Sequence, residues 1–339
     1  MEKTKKKRQR RSVKQYFKEL FAYCGNRCKG SASNIAFAVI MALYMAFCIG
    51  GFIHFAIASA KHIEHLRDCG IAVSYIAIAI VIFLAEFNLH LRSPLPYTIF
   101  VLVFSTFCFL GASFNFYTLI PFLDDILHAC WGILFSSLGF AIVKSLMGEP
   151  KNLKQFIAYL IFAVGFCMLI SILWEVYEFA SDNLSHNFDM QEDTIIHHFH
   201  SFRLYPGYDH LHTLEVDGIA KTILYDKDGN VLLELDGYLD IGLYDTMWDI
   251  LWCLFTTVAL TVVLSVDRAL GGKIYPHIIP VYVGKDKAEA ALSEESEAGK
   301  EVQEGEQEEG GKQAEDGEQS EAEGKPEEDA ADKVEDGQN

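Results

Sequence analysis

The chain has 339 residues, of which 51% are hydrophobic, and a formal net charge of −18. The charge is concentrated at one end, because residues 288–339 carry 20 acidic residues and 4 lysines while the rest of the chain is close to neutral. The low isoelectric point therefore describes a tail, and the remainder is too apolar for a water-soluble domain of its size.

The N-terminal segment, residues 1–34, is basic and contains 11 lysines and arginines. It is too long for the basic region of a usual signal peptide. Basic segments beside a membrane span bind anionic lipid, and we expect that partner here. Nucleic acid is the weaker interpretation because the segment is tethered next to a span, so we expect no nucleic-acid partner.

Six apolar runs are long enough to cross the bilayer as helices, since about 20 residues of helix span its hydrocarbon core. The sequence therefore predicts an all-α membrane protein, a six-span helical bundle over residues 35–266. The predicted spans are about 35–59, 71–91, 98–120, 124–147, 156–180 and 244–266.

Basic residues predict the orientation of the bundle. With the N-terminus inside, 19 lysines and arginines fall on the cytoplasmic side and 5 on the other, leaving out the acidic tail. The positive-inside rule then predicts a multi-pass protein of the cell membrane with cytoplasmic N- and C-termini.

The long connection at residues 181–243 is predicted to lie outside the cytoplasm. Its second half has two runs rich in isoleucine, leucine and valine around "DKDGN", which predicts a small β-hairpin with Asp-Gly at the turn. Its first half is rich in histidine: His186, His197, His198, His200, His210 and His212.

Two segments follow the last predicted span. Residues 267–287 are predicted to form a cytoplasmic juxtamembrane segment. Residues 288–339 have almost nothing to bury and repel themselves, which predicts a disordered acidic C-terminal tail. A basic partner for this tail is an alternative to a purely solvated role.

Ionisable residues recur near the outer ends of the last three spans. Spacings of three and four place them on one face of each helix, at similar depth. The candidate ligands are Asp124, Asp125, His128, Glu175, Glu178, Asp245 and Asp249.

Helix capping explains only part of this pattern. Asp125 and Asp245 could each cap a helix N-terminus. Glu175 and Glu178 lie at a helix C-terminal end, where the dipole disfavours a carboxylate, and a charge inside a span costs roughly 2.5–3.5 kcal/mol. His128 neutralises one carboxylate at most, so a divalent metal or shared protons would have to offset the rest. Mg²⁺, Mn²⁺ and Ca²⁺ suit the oxygen ligands, and the imidazole keeps Zn²⁺ open.

These residues carry a family resemblance. The ordered set Asp-x-x-x-His, Glu-x-x-Glu and Asp-Thr-x-x-Asp, within "FLDDILHACWG", "WEVYEF" and "YDTMWDI", resembles the YjdF-like family of bacterial polytopic membrane proteins, whose function is unknown. More distantly it is similar to VanZ-like proteins. Asp249 stands where the VanZ-like proteins tend to have Asn, and Asp125 stands where both families often have a basic residue. The resemblance implies a helical membrane fold and no particular reaction.

The sequence leaves three functions open. The first is a metal-dependent site acting on an outer-leaflet lipid or envelope precursor, with His128, Glu175, Glu178, Asp245 and Asp249 as catalytic residues. The second is a proton- or ion-coupled transporter, which needs a second polar layer near the other membrane face; Glu86 with His90 is its candidate. The third is a non-catalytic scaffold, or a sensor whose external histidines bind metal or titrate. The oligomeric state stays open.

Overall fold

The computed structural model describes residues 12–184, 189–207 and 211–283 of the chain. The predicted acidic tail, residues 1–11 of the basic segment, and the candidate histidines His186 and His210 lie outside these ranges.

Within the described residues the fold is mostly helical. The helices are α1 (Val13–Arg27), α2 (Ala32–Ser59), α3 (Leu66–Leu89), α4 (Leu95–Phe114), α5 (Phe116–Leu119), α6 (Leu123–Met147), α7 (Leu153–Leu184), α8 (Leu243–Ala269) and α9 (Tyr275–Ile278). The strands are short: β1 (Leu91–Arg92), β2 (Thr194–Ile196), β3 (Phe199–Ser201), β4 (Leu214–Val216), β5 (Thr222–Tyr225), β6 (Val231–Leu235), β7 (Tyr238–Asp240) and β8 (Val281–Tyr282).

Six of these helices, α2, α3, α4, α6, α7 and α8, are long and apolar enough to cross a membrane. The six-span prediction is therefore confirmed. In α6 the apolar window is 56% buried, against 17–28% in the other five, so α6 lies at the centre of the bundle. The other five helices expose large apolar side chains, as lipid-facing helices do.

Most helix boundaries differ from the predicted spans by a few residues, and left-handed residues explain two of these differences. The third span was predicted to reach residue 120, but α4 ends at Phe114 because Asn115 adopts a left-handed conformation with φ of 61°. The second span ends at Leu89, where His90 is left-handed with φ of 50°. An αL residue stops the helix and turns the chain. Beyond His90, β1 pairs antiparallel with β8, a contact that the sequence pattern did not predict.

The bundle has two packed halves. Phe37, Tyr44, Ala79 and Leu102 belong to a core between α2, α3 and α4. A second core lies between α6, α7 and α8, and its buried residues are Phe140, Val143, Phe156, Tyr159, Ala163, Leu260 and Leu264, joined by Ile279. The halves meet at α4 and α6, where the Tyr97 hydroxyl donates to the Leu134 carbonyl at 3.1 Å.

The insertion between α7 and α8 contains three antiparallel strand pairs: β2 with β7, β3 with β4, and β5 with β6. The predicted hairpin is confirmed as β5 and β6. Its turn is held by Asp226, whose Oδ1 accepts from the backbone N–H groups of Asp228 and Asn230 at 2.8 Å. Gly229 has φ of 85°, a conformation that glycine adopts at little cost. The other two pairs extend the insertion beyond a single hairpin.

Candidate metal centre

Three helix ends meet at one face of the bundle and bring ionisable side chains together. Asp124 and His128 lie in the first turns of α6, and Asp249 lies in the second turn of α8. Glu175 and Glu178 lie before the C-terminal end of α7, which runs antiparallel to both neighbours. At about 1.5 Å per residue, all five lie within about two to three helical turns of these ends. The predicted matching depth is thus present in the structure.

A close helix contact below the cluster sets its width. A Cβ on Gly132 of α6 would lie 2.5 Å from the Cys253 carbonyl oxygen of α8 and would collide with the Thr256 hydroxyl. Glycine therefore lets the two backbones approach, as small residues do between membrane helices. Thr257 strengthens the same contact by donating to the Gly132 carbonyl at 3.1 Å.

His128 lies at the centre of the cluster and is 5% exposed. Its Nε2 is 3.7 Å from Asp124 Oδ2 and 3.7 Å from Asp249 Oδ2, while its Nδ1 is 3.9 Å from Glu175 Oε1. These separations are longer than the 2.7–3.2 Å of a direct hydrogen bond. They are close to the spacing of roughly 3.4 Å between two ligand atoms that lie about 2.1 Å from one tetrahedral ion.

The five residues form two overlapping groups of three. Within each group the three ligand atoms lie within 4.8 Å of one another. One group is Asp124, His128 and Asp249, and the other is Glu175, Glu178 and Asp249. Asp249, which is 1% exposed, belongs to both groups. If two ions were bound, Asp249 would be a candidate ligand for both, as carboxylates are in two-metal sites.

Several carboxylate oxygens of the cluster are buried without a hydrogen-bond partner: both oxygens of Glu175 and Oδ2 of Asp249. Glu178 differs, since its Oε1 accepts from the Trp174 indole N–H at 2.8 Å. Buried polar atoms in native proteins are almost always hydrogen-bonded, and an unsatisfied charged group is costly. Either shared protons or a positively charged ligand would relieve the cost of burying these carboxylates.

Two predicted ligands, Asp125 and Asp245, belong to neither group among the described residues. They also do not cap their helices, because the N-cap positions are Phe122 and Gly242 and neither makes a side-chain cap hydrogen bond. Asp245 instead accepts from the backbone N–H of Glu192 at 2.9 Å. Neither residue is an N-cap, but both lie in the first turn of their helix, where the dipole favours a carboxylate, and Asp245 also anchors the insertion to α8.

The insertion is tied to the helix ends at a short segment, Met190–Glu192, that covers this face. The backbone N–H groups of Met190 and Gln191 donate to the Asp182 carboxylate at 2.8 and 2.9 Å. Gln191 Nε2 donates to Thr246 Oγ1 at 2.6 Å. Burial raises the pKa of Glu192, and the nearby carboxylates of Asp125 and Asp189 raise it further.

Other residues of the site were not predicted from the sequence. Cys253 donates its thiol to the His128 carbonyl at 3.2 Å, four residues after Asp249 on the same face of α8. Trp131 lies nearly parallel to the His128 ring, and its buried indole N–H has no hydrogen-bond partner. Trp174 is four residues before Glu178, and Cys253 is four residues after Asp249. This i,i+4 spacing is the signal that could have identified Trp174 and Cys253 from the sequence.

The described histidines of the insertion, His197, His198, His200 and His212, do not enter either group of candidate ligands. His197 Nδ1 lies 2.9 Å from the Ile219 carbonyl oxygen. The His212 ring stacks on Tyr205 with centroids 5.3 Å apart. Within the described ranges these contacts are those of a folded loop.

The fold and the site together define a multi-pass membrane protein with a carboxylate and histidine cluster enclosed by three of its six spans. The model of the family described as "Predicted membrane protein (DUF2238)" matches residues 37–269, so the chain belongs to that family. The matched region runs from α2 to the end of α8 and includes the whole cluster. No curated protein matches the chain. No solved structure matches it.

Proposed function

We propose that the cluster binds divalent cations and acts on the head group of a lipid or lipid-linked envelope precursor in the outer leaflet. The observation that carries this proposal is the set of buried, unpartnered oxygens on Glu175 and Asp249. Four carboxylates and one imidazole meet there, and no lysine or arginine of the described chain forms an ion pair with them. Bound cations would supply the missing positive charge.

The donor set indicates which cations fit. Carboxylate oxygens suit Mg²⁺ and Mn²⁺, whereas an imidazole ligand suits Zn²⁺ and other transition ions. The group around His128 therefore fits Zn²⁺ or Mn²⁺, and the group around Glu175 and Glu178 fits Mn²⁺ or Mg²⁺. With Asp249 shared, the site accommodates two ions.

The position of the cluster supports a substrate at the membrane surface. Asp124 is the least buried member, with a side chain 23% exposed, and lies in the first turn of α6. A head group can reach this depth while its acyl chains stay in the bilayer. A metal in the site would polarise a phosphoryl or carbonyl oxygen or activate water. Glu175, Glu178 and Asp249 serve as ligands or bases in this proposal, and His128 as a ligand or general acid.

Metal content tests the site. The full chain is purified in detergent, stripped with a chelator, reloaded with Zn²⁺ or Mn²⁺, and its bound metal is counted by elemental analysis. We expect up to two ions per chain and, at a free ion concentration of 100 Kd, a gain of about 2.7 kcal/mol in the free energy of unfolding for each bound ion. Asp249→Asn should lose the metal, whereas Asp125→Asn should keep it.

The outcomes separate the parts of the proposal. Absence of bound metal, together with no stabilisation by any divalent ion, would remove the metal centre. One ion per chain would keep the centre and remove the bridging role of Asp249. The activity is tested with the metal-loaded protein in liposomes made from bacterial lipid extract, where mass spectrometry should show a changed head group. Unchanged lipids and precursors with fully loaded protein would contradict the proposed reaction.

The inner candidate of the transport alternative was Glu86 with His90, and Glu86 is paired in the structure. Glu86 forms a buried ion pair with Arg27, with 2.9 Å between Glu86 Oε2 and Arg27 Nε. It also accepts from Tyr23 and from the backbone N–H of Ser93. A carboxylate with all these partners is a structural anchor. These contacts account for Glu86 structurally, and the transport alternative stays open.

A further inference from the structure

A second polar region lies at the opposite face of the bundle, in a cavity of about 400 Å³. It is formed where α6 and α8 end and α7 begins, with α9 across it. His128 and Lys144 are 16 residues apart on α6, so this cavity lies about 24 Å from the metal centre. The basic-residue count predicts this face to be the cytoplasmic one.

Lys144 extends into this cavity although its side chain is only 3% exposed. Its Nζ donates to the Tyr275 hydroxyl at 2.7 Å and lies 4.3 Å from the centre of the Tyr275 ring. Arg268 stands at the rim, where its guanidinium lies 4.6 Å from the centre of the Phe156 ring. Two cations therefore converge on one cavity, and each is held in place by an aromatic side chain.

The negative charge in the lining comes from Glu149, whose Oε1 lies 2.8 Å from Lys144 Nζ. The Glu149 side chain is 62% exposed and lies in the loop between α6 and α7, so it can swing into water. An ammonium group has three donors, and these two contacts use two of them. Glu149 thus occupies the position that an oxygen of an anionic ligand would take, and the two cations still exceed it by one charge.

One wall of the cavity is formed by the apolar side chains of Phe140, Phe156 and Leu264. An anion with no apolar part would gain nothing from these side chains, whereas a phospholipid has a phosphate for the cations and acyl chains for the apolar wall. Basic pockets between spans on the cytoplasmic side are known to hold anionic head groups. We propose that this cavity binds the phosphate of an anionic phospholipid, with Lys144 and Arg268 as its partners and Glu149 as the group it displaces.

Lipid retention tests this proposal. The full chain is purified from a mixture of phosphatidylglycerol and phosphatidylcholine, and the lipid that stays bound is identified by native mass spectrometry and titrated back in nanodiscs. We expect a preference for phosphatidylglycerol that Arg268→Gln weakens by about fivefold, the effect of losing one basic residue near an anionic surface. Lys144→Gln should weaken it at least as much. Lys154→Gln removes an exposed lysine on the same face and should change nothing.

Glu149→Gln distinguishes a binding site from a structural ion pair. In a binding site this substitution removes the competing carboxylate and should raise the affinity for phosphatidylglycerol. In a structural pair it would lower the melting temperature and leave lipid affinity unchanged, which would overturn the proposal. Both Glu149 and Arg268 are solvent-exposed, so these variants should fold even if Lys144→Gln does not.

A competition experiment distinguishes the two sources of phosphate. Inorganic phosphate and glycerol 3-phosphate are added to the same nanodiscs. Failure of both to displace phosphatidylglycerol supports a lipid ligand. Either compound could instead displace phosphatidylglycerol from the unmodified protein at concentrations that displace none from the Arg268→Gln variant. That result would assign the cavity to a soluble phosphate ester and overturn the lipid assignment. Equal retention of phosphatidylcholine and phosphatidylglycerol would overturn it as well.

Discussion

Gly132 determines how closely α6 and α8 approach beneath the carboxylate cluster. Its carbonyl accepts from Thr257, and its missing side chain leaves room for the backbone at Cys253. His128 lies one turn above on α6, and Asp249 lies one turn above Cys253 on α8. The distance between those two ligands therefore depends on a residue with no functional group.

Gly132→Ala should destabilise the protein and impair the site. The added methyl group meets the Cys253 backbone carbonyl as well as the Thr256 hydroxyl, and because the carbonyl cannot rotate away the helices must separate, at about 1–3 kcal/mol for overpacking. Thermal unfolding in detergent measures the loss, and metal content should fall with it. Gly165→Ala is the matched control, because a Cβ at Gly165 on α7 meets no atom within 4 Å. Equal melting temperatures for both variants would contradict the close contact.

Individual residues of the site were partly predictable. Spacing along each helix predicted Asp124 with His128 and Glu175 with Glu178, because a helix places positions three and four apart on one face whatever surrounds it. Spacing could not separate Asp245 from Asp249. One carboxylate binds a backbone N–H of the insertion and the other enters the cluster, and this difference depends on where the insertion folds back.

At the scale of elements, α1 was not expected to be anchored. The basic N-terminal segment was predicted to lie on anionic lipid, and α1 does expose the apolar stripe of Val13, Phe17 and Phe21. In addition Arg27, at its last turn, is 3% exposed and pairs with Glu86 of α3. Arg27 and Glu86 are 59 residues apart in sequence, so no local sequence pattern could predict their contact.

Arg27→Met should loosen α1 from the bundle, since it leaves the Glu86 carboxylate buried and unpaired, at about 3–5 kcal/mol. Hydrogen exchange at the backbone of α1 should then increase, and the melting temperature should fall. The double variant Arg27→Met with Glu86→Gln removes both charges and keeps an acceptor for Ser93, so it should recover part of the loss. Lys18→Gln, an exposed change on the same helix, is the control. A double variant as unstable as Arg27→Met would contradict a charge-pair role.

Met190–Glu192 should detach from the helix ends when its acceptors are weakened. Asp182 and Asp245 together accept three backbone N–H groups from this segment. The double variant Asp182→Ala with Asp245→Ala should raise hydrogen exchange and protease cleavage in the insertion. Because neither residue belongs to the ligand groups, the metal content should stay at the level of the unmodified protein. Loss of metal in this variant would return Asp245 to the ligand set.

At the scale of the whole molecule, two polar regions lie at opposite faces of the bundle, and the core between them holds buried Ser136, Ser137 and Thr257 beside its apolar side chains. The carboxylate cluster lies at one face and the basic cavity at the other, and between them α6, α7 and α8 pack through Phe140, Ala163 and Leu260. A site that opens to one face only fits a reaction at that membrane surface.

The number of spans was predictable, and the placement of the helices was not. Apolar length follows directly from bilayer thickness, so six runs gave six helices. Which helix lies at the centre depends on packing between helices, and α6 is as apolar as α4 by composition although it is far more buried. The pairing of β1 with β8 likewise joins residues from distant parts of the chain.

The proposed function requires the metal centre and the insertion to lie outside the cytoplasm, and labelling tests this for the whole molecule. Asp228→Cys places a thiol at the exposed turn of β5 and β6, and Lys151→Cys places one in the exposed loop between α6 and α7. A membrane-impermeant maleimide added to intact cells should label the first and not the second, and permeabilised cells should show both. The native cysteines at Cys24 and Cys28 lie on the same side as Lys151 in this topology, so they should stay unlabelled until the cells are opened. Labelling of Lys151→Cys alone in intact cells would turn the centre toward the cytoplasm and contradict a role at the outer leaflet.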